Sequence, residues 1–409
     1  MTARQASKRR KPLHIAVTGL NATDNPAPGV GVLRALQAAR PHDQRIGLGY
    51  DALDPGIYAQ GLMSDVFLLP YPSQGLEPLL ARIEYVHARV GLDVIIPTLD
   101  SELPAFIEAA PRLAALGIAT FLPSREQLEL RSKAQLASLG SRSGIRVPAT
   151  AVLTSQAELA TVHLRVPYPF FVKGVFYGAT LAQNHDAAVA AFHKFAHEWG
   201  LPIIVQTAVP GDEVNVVALG DGEGGLVGAV AMKKLLITDK GKGWAGVTIR
   251  DEALIALTRS FMAATGWRGP CELELIRDRQ GDYHLIEINP RFPAWVFLSA
   301  AAGINLPALL VDLACGKKVK PVVDYQLGKL FVRISIDQIA SLDDFQRVMI
   351  HGELSGDSQP TKPRAMSRSM SRPTARSTSR SAARSTSRSA AAPRVTPSRS
   401  DSLSQGISP

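Results

Sequence analysis

The chain has 409 residues, 46% of them apolar and 20% charged, and a net charge of +9. That length suits two or three ordinary domains. No run approaches the apolar length of a membrane-spanning helix, and two cysteines, Cys271 and Cys315, are too few for a disulfide framework or a zinc cluster. A reducing cytoplasm is the default expectation.

The charge is unevenly placed. Thr361 to Pro409 carries ten Lys/Arg and one Asp, and Met1 to Lys11 holds five more basic residues. The body between is slightly acidic and gives no electrostatic reason to expect nucleic acid. Residues 1–12 read as a disordered basic arm, without the apolar core of a signal peptide.

Leu13 to Gly19 reads as a short apolar strand. A loop with Gly19, Gly29 and Gly31 follows, then a helix from Val32 to Ala39. This is a βα start of the doubly wound kind. The glycine spacing is not a dinucleotide fingerprint, so a structural turn is preferred. Further strands are expected at 46–50, 66–69 and 93–97, and helices at 79–90 and 103–116. Asp100 and Glu102 follow a strand end. They either line a cleft there or cap the helix from Leu103, and the cap is preferred.

One helix is expected from Arg125 to Leu139, containing Lys133. Phe170 to Lys173 is an apolar strand ending in a lysine, before a loop with Gly174, Gly178 and Thr180. Such a loop can cradle phosphate oxygens while the lysine supplies a point charge. After a helix at 185–199 comes the strand Pro202 to Gln206. It runs into Thr207-Ala208-Val209-Pro210-Gly211-Asp212-Glu213. Leu226 to Ile237 is a strand bearing Lys233 and Lys234. A helix at 251–265, an apolar helical stretch at 298–313, a strand at 330–336 and a helix at 342–349 complete the reading. His193 and His197 are read as surface residues.

The most informative stretch is an acidic hairpin. Cys271 to Arg277 and His284 to Asn289 read as two strands joined by a turn at 278–282. A four-residue loop would set Asp278 opposite Tyr283, Glu274 opposite Glu287 and Glu272 opposite Asn289. Facing carboxylates repel, and a divalent cation relieves them. Two carboxylates and an amide oxygen form a hard set suited to Mg2+ shared with phosphates. Pro290 ends the strand and Arg291 follows.

These pieces, in this order, resemble the ATP-grasp superfamily, closest to its carbamoyl-phosphate-synthase-like branch, from about Leu13 to Val348. The carriers are Lys133, Lys173 before its glycine loop, Gln206 to Glu213, Glu274, and Glu287-Ile288-Asn289-Pro290-Arg291. The resemblance implies a mixed α/β chain with a Rossmann-like pre-ATP-grasp domain at 13–123. It implies ATP-grasp lobes at 124–205 and 206–350, followed by a disordered tail at 351–409. It implies ATP and Mg2+ (or Mn2+) as cofactors. Lys133, Lys173 and Gly178 would meet phosphate, and Gln206, Thr207, Ala208 and Val209 the adenine. Glu213 would hold ribose, and Glu274, Glu287 and Asn289 the metal. Arg291 and Lys233 are the candidate catalytic residues, with Lys234 as an alternative to Lys233. The chain departs from the family pattern by opening its hinge with Gln206 rather than Glu, and its phosphate loop has few glycines.

The implied activity is an ATP-dependent carboxylate–amine ligase acting through an acyl phosphate, with small-molecule substrates and a homodimer as a possible assembly. Carboxyphosphate chemistry of the biotin carboxylase or carbamoyl-phosphate synthase type is the nearer rival. A nucleotide-binding scaffold with a polyanion-binding tail is the other. In that tail Arg364, Arg368, Arg372, Arg376, Arg380, Arg384 and Arg388 recur every four residues. It has too few apolar groups to build a core. An unselected repeat, even one from a shifted reading frame, is preferred to a binding arm.

Overall fold

A computed structural model describes residues 11–23, 25–174, 178–238 and 243–355, apart from the side chains of residues 133, 134, 137 and 142. The basic arm at 1–10 and the Arg/Ser-rich segment from residue 356 lie outside it.

The first sheet is built from β1 (His14–Thr18), β2 (Gln44–Gly49), β3 (Asp65–Leu68) and β4 (Val94–Ile96). These run parallel in the order β3-β2-β1-β4. Parallel strands need crossovers and bury both faces, which is why the strands are continuous apolar runs. Helix α1 (Gly29–Ala39) covers one face. Helices α2 (Leu76–Val90) and α3 (Leu103–Ala115) cover the other through Leu80, Ile83, Val86, Phe106 and Leu113. The glycine loop closes on β1, with the Gly29 amide donating to the Gly19 carbonyl at 3.1 Å. A Cβ at Gly29 would lie 2.1 Å from the Thr18 carbonyl oxygen, so only glycine lets α1 start against the end of β1.

The expected helix at 125–139 is two helices, α4 (Arg125–Glu129) and α5 (Lys133–Ser143). Ser124 caps the first in a reciprocal capping box with Gln127. The Gln127 amide also donates to the carbonyl of Gly266 at 2.5 Å. Local turn bonds then close 130–132, where the Ser132 amide donates to the Glu129 carbonyl at 2.9 Å.

Strands β5 (Thr150–Leu153), β6 (Phe170–Lys173), β7 (Ala179–Ala182) and β8 (Ile203–Thr207) form a four-stranded sheet in the order β5-β8-β6-β7. Helices α6 (Leu159–Val162) and α7 (His185–Trp199) bury its Phe170 and Val172 face. His193 and His197 on α7 are exposed, as expected.

The third sheet has six strands, in the order β13-β12-β9-β10-β11-β14. They are β9 (Gly211–Asp221), β10 (Leu226–Ile237), β11 (Gly243–Thr248), β12 (Arg268–Asp278), β13 (Tyr283–Asn289) and β14 (Leu330–Val332). Helix α8 (Glu252–Thr265) and α5 cover one face through Leu254, Phe261 and Leu136. The other face shares a core with the first sheet. There Val217, Val230 and Met232 join Phe292, Trp295 and the helices α9 (Phe297–Ala301) and α10 (Leu306–Ala314). The expected boundary near residue 123 is therefore not a gap in packing.

The end of the described chain departs from expectation. Helix α11 (Leu342–His351) leads into β15 (Glu353–Ser355), which pairs antiparallel with β3. Residues 351–355 were expected in a disordered tail and instead extend the first sheet. The reason is tertiary: Arg82 donates to the Gly352 carbonyl at 2.7 Å, and Val348 is fully buried in the shared core.

Candidate active site

The hairpin β12–β13 carries the acidic group. Glu274 pairs with Glu287 and Glu272 with Asn289, as expected. The turn half differs by one residue. Arg277, rather than Asp278, faces Tyr283, and the loop is closed by the Asp278 amide donating to the Asp282 carbonyl at 2.9 Å. A β-bulge at Ile286 absorbs the shift and restores the register at the acidic end. Directly facing residues share a side of the sheet, so all four side chains point the same way.

Glu272 is the buried centre of this group. Its carboxylate accepts from Asn215 Nδ2 at 2.7 Å, Trp295 Nε1 at 2.7 Å and Asn289 Nδ2 at 3.1 Å. Burial, reinforced by the charge of Glu274, pushes its carboxyl above the ordinary range. The Asn289 amide also donates to Glu274 at 2.9 Å, while its oxygen accepts from Arg291 Nη2 at 3.0 Å. No hydrogen bond or ion pair among the described residues engages the Glu287 side chain, which is half-buried.

Lys234 joins this group and Lys233 does not. Asn215 lies opposite both Glu274 and Met232, so Lys234, two residues beyond Met232, shares the acidic face. Its ammonium donates to Glu213 at 2.8 Å and Glu274 at 3.2 Å. Burial alone would lower the Lys234 ammonium; the charges of Glu274 and Glu213 outweigh it and raise it. Lys233 lies opposite Val214 on the helix-covered side and pairs with Asp212 at 2.8 Å. Lys233, the lysine expected to be catalytic, therefore lies on the face away from the acidic group, and Lys234, the alternative, lies within it. Two adjacent lysines on a strand are indistinguishable until its faces are known.

The other lysine group sits on the four-stranded sheet. Register places Thr150, Phe171, Lys173 and Gln206 on one face. Lys173 donates to Gln206 Oε1 at 2.5 Å, and Gln206 Nε2 donates to Thr150 Oγ1 at 3.2 Å. Thr207 faces Phe170 on the opposite, core side, and its buried hydroxyl has no hydrogen-bond partner. Any contact from Thr207 to a ligand on the Gln206 face is limited to its backbone. The half-buried connector at Ala208 and Val209 leads from β8 to β9 and so to Glu213. Lys133 opens α5, and its side chain lies outside the described residues. Gly178 is described, with φ at +88°, and a Cβ there would lie 2.4 Å from the Phe195 ring. The glycine requirement at 178 therefore already has a packing cause.

The preferred cap reading of Asp100 and Glu102 does not hold. Asp100 accepts from Arg131 at 3.0 Å and from Arg291 Nε at 2.9 Å. Glu102 turns back to the strand ends, where it accepts from the Thr98 and Leu99 amides at 2.7 and 2.8 Å and from the Thr18 and Tyr50 hydroxyls. It shapes the 98–101 loop rather than the helix terminus.

Burial raises the Glu102 carboxyl above its usual 4.5. Its contribution to stability is therefore fully present below that value and is lost as pH rises through the higher folded value. The difference in unfolding free energy between wild type and Glu102→Gln, from urea melts between pH 4 and 8, should fall by about 1.4 kcal/mol per unit of upward shift. A difference that rises with pH would contradict this.

Arg333 was missed in the sequence. It follows β14, and its amide donates to the Trp244 carbonyl at 3.0 Å. Burial lowers its guanidinium while the charge of Glu272 raises it, and its buried Nε has no hydrogen-bond partner. A buried, incompletely satisfied guanidinium within the field of Glu272 is a ready anion contact. The only available signal was the alternation Phe331, Arg333 against Leu330, Val332.

The donor set fits a hard cation. Glu274 and Glu287 face each other, and Asn289 lies beside them. Among the described residues no three His, Cys, Asp or Glu side chains could hold a metal ion by themselves. Such a cation would draw further oxygen ligands from phosphate, as Mg2+ commonly does. No described helix is long and apolar enough to cross a membrane.

Residues 201–334, spanning the strands just described, match the family model described as "ATP-grasp in the biosynthetic pathway with Ter operon". Over 229 residues, 52% of this chain, it is 24% identical to the carbamoyl phosphate synthase large chain of Clostridium beijerinckii. The match spans only 21% of that relative's length. The biotin carboxylase domain of Hydrogenobacter thermophilus 2-oxoglutarate carboxylase, solved with MgADP, ADP and bicarbonate, shares the fold at a TM-score of 0.60 and 17% identity, over 78% of this chain and 73% of that one. So does an L-amino acid ligase from Bacillus licheniformis, at 0.56 and 17%, over 75% and 74%. The family match thus lies on the acidic hairpin and the strands beside it, and the chain shares the fold of these solved ligase and carboxylase structures well beyond that match.

Proposed function

We propose that the chain is an ATP-dependent ligase that activates a substrate carboxylate as an acyl phosphate and joins it to an amine or similar nucleophile, forming ADP. The observation that carries this reading is the gathering of Glu274, Glu287, Asn289, Lys234 and Arg291 on one side of the hairpin sheet. Phosphoryl transfer asks a protein for positioning and charge neutralisation more than for covalent help, and this group offers both.

Glu274, Glu287 and Asn289 would hold Mg2+, or Mn2+ by the same donors. When bound, the ion supplies neutralisation of the phosphate oxygens. Lys234 moves from its carboxylates toward phosphate, and Lys173 and Lys133 add point charges. Gln206 and the backbone of Thr207, Ala208 and Val209 take the adenine edge, and Glu213 the ribose. Arg291 and Arg333 orient the substrate carboxylate, whose oxygen attacks the γ-phosphorus as ADP leaves. The amine then attacks the acyl carbon, loses a proton, and inorganic phosphate departs. The first sheet with its helices is read as the Rossmann-like pre-ATP-grasp domain of this architecture, and it would supply substrate contacts.

Phosphate release from ATP and Mg2+, assayed with pooled carboxylates and amines, tests the reading. Release that needs both pools is the expected result. Release driven by bicarbonate alone would replace the ligase with carboxyphosphate chemistry, and no release under any combination would leave a nucleotide-binding scaffold.

A further inference from the structure

We infer that the chain pairs with a second copy of itself along β14, edge to edge and antiparallel. β14 ends the six-stranded sheet and has β11 as its sole strand neighbour among the described residues. The Arg333 amide donates to the Trp244 carbonyl, and the Lys329 carbonyl accepts from the Thr248 amide. Odd-numbered backbone groups therefore face β11, and alternation leaves those of Leu330 and Val332 on the free edge.

Exposed edges are usually blunted by charge or proline. Here Leu330, Val332, Ile334 and Ile336 recur at every second residue and are 56%, 58%, 75% and 66% exposed. Register carries Val332 through Ala245 to Leu236, which is also exposed, and Leu330 through Val247 to Lys233. Leu330 and Val332 thus lie on the side of the sheet away from the acidic group, and pairing there does not touch that group.

The strip complements itself. Two copies set antiparallel about an axis at Arg333 pair Leu330 with Ile336, Val332 with Ile334, and Lys329 with Asp337. Lys329 and Asp337 are exposed, and no ion pair among the described residues engages either side chain. Each cation then meets an anion at both ends of the strip, as a twofold interface requires. The two Arg333 side chains face each other at the axis, but each is held to its own chain, over the Phe331 ring at 5.8 Å and in the field of Glu272. Ile339 and Leu342, also exposed, continue the strip. At about 100 Å2 a side chain, these six remove on the order of 600 Å2 per copy, close to the roughly 800 Å2 per partner of a standard interface. The Arg/Ser-rich segment from residue 356 carries too few apolar side chains to match such a strip.

Sedimentation of the whole chain over a concentration series tests this. The wild type should move from 43.8 kDa toward twice that mass. Ile334→Glu and Ile336→Lys should each weaken association at least about a hundredfold, since each charge enters the apolar contact twice. Their circular dichroism should stay that of the wild type, because both sites are exposed in the single chain. Lys329→Glu and Asp337→Lys should each self-associate several-fold more weakly, while an equimolar mixture of the two recovers wild-type strength, because opposite charges then meet at both ends. A wild type that stays monomeric throughout the series overturns the inference. So does a dimer that persists in both Ile334→Glu and Ile336→Lys, or a mixture that associates no better than its parts.

Discussion

Glu287→Gln should lower turnover at least about a thousandfold, the scale of losing one charge-stabilising group from an active site, while the protein stays folded. Glu287 is the half-buried member of the acidic pair, with Glu274 directly opposite and no side-chain hydrogen bond or ion pair among the described residues. Its charge therefore supports no local structure. The amide keeps the shape and removes half of the anionic charge proposed to hold the cation. Removing one of two like charges across a ladder should leave stability unchanged or raise it by up to about 1 kcal/mol. Turnover is read as phosphate release, and stability by urea melts. Unchanged turnover would remove Glu287 from the metal set. Lost turnover with a lowered melt would recast it as a structural residue.

The second large effect separates two neighbouring lysines. Lys234→Met should weaken binding of an ATP analogue with Mg2+ by roughly 10- to 100-fold, the worth of one or two hydrogen bonds to a charged group. Lys233→Met should change it by less than about twofold, since exposed ion pairs contribute little. Lys234 has a 7% exposed side chain between Glu213 and Glu274, whereas Lys233 is 40% exposed and pairs with Asp212. Methionine keeps the apolar stem of either residue, so a difference between the variants reports the ammonium. Calorimetric titration of both measures it. Equal losses, or a loss confined to Lys233→Met, would undo the assignment by strand face.

If both predictions hold, the site works by gathering charge rather than by any single reactive side chain. Glu272, Glu274 and Glu287 of the hairpin share a sheet face with Glu213 of β9 and Lys234 of β10, and Arg291 follows the hairpin. Lys234 is salt-bridged to Glu213 and Glu274, and Arg291 to Asp100 and Glu272.

The sequence by itself determined what short-range periodicity can carry. The apolar runs, the acidic hairpin, and the pairing of Glu274 with Glu287 and of Glu272 with Asn289 follow from alternation and spacing along one or two segments. Only the tertiary structure decided the rest, because each remaining choice depends on a partner far away in the chain. The face of β10 is set by β9, and it selects Lys234 over Lys233. Glu102 leaves its helix terminus because Thr18 on β1 and Tyr50 just after β2 offer hydroxyls to a carboxylate that burial would otherwise leave stranded. Ile286 bulges because the turn is one residue longer than the register allows. Arg333, Val348 and β15 gain their places only when the end of the described chain folds back onto strands laid down hundreds of residues earlier, and no local pattern encodes that closure.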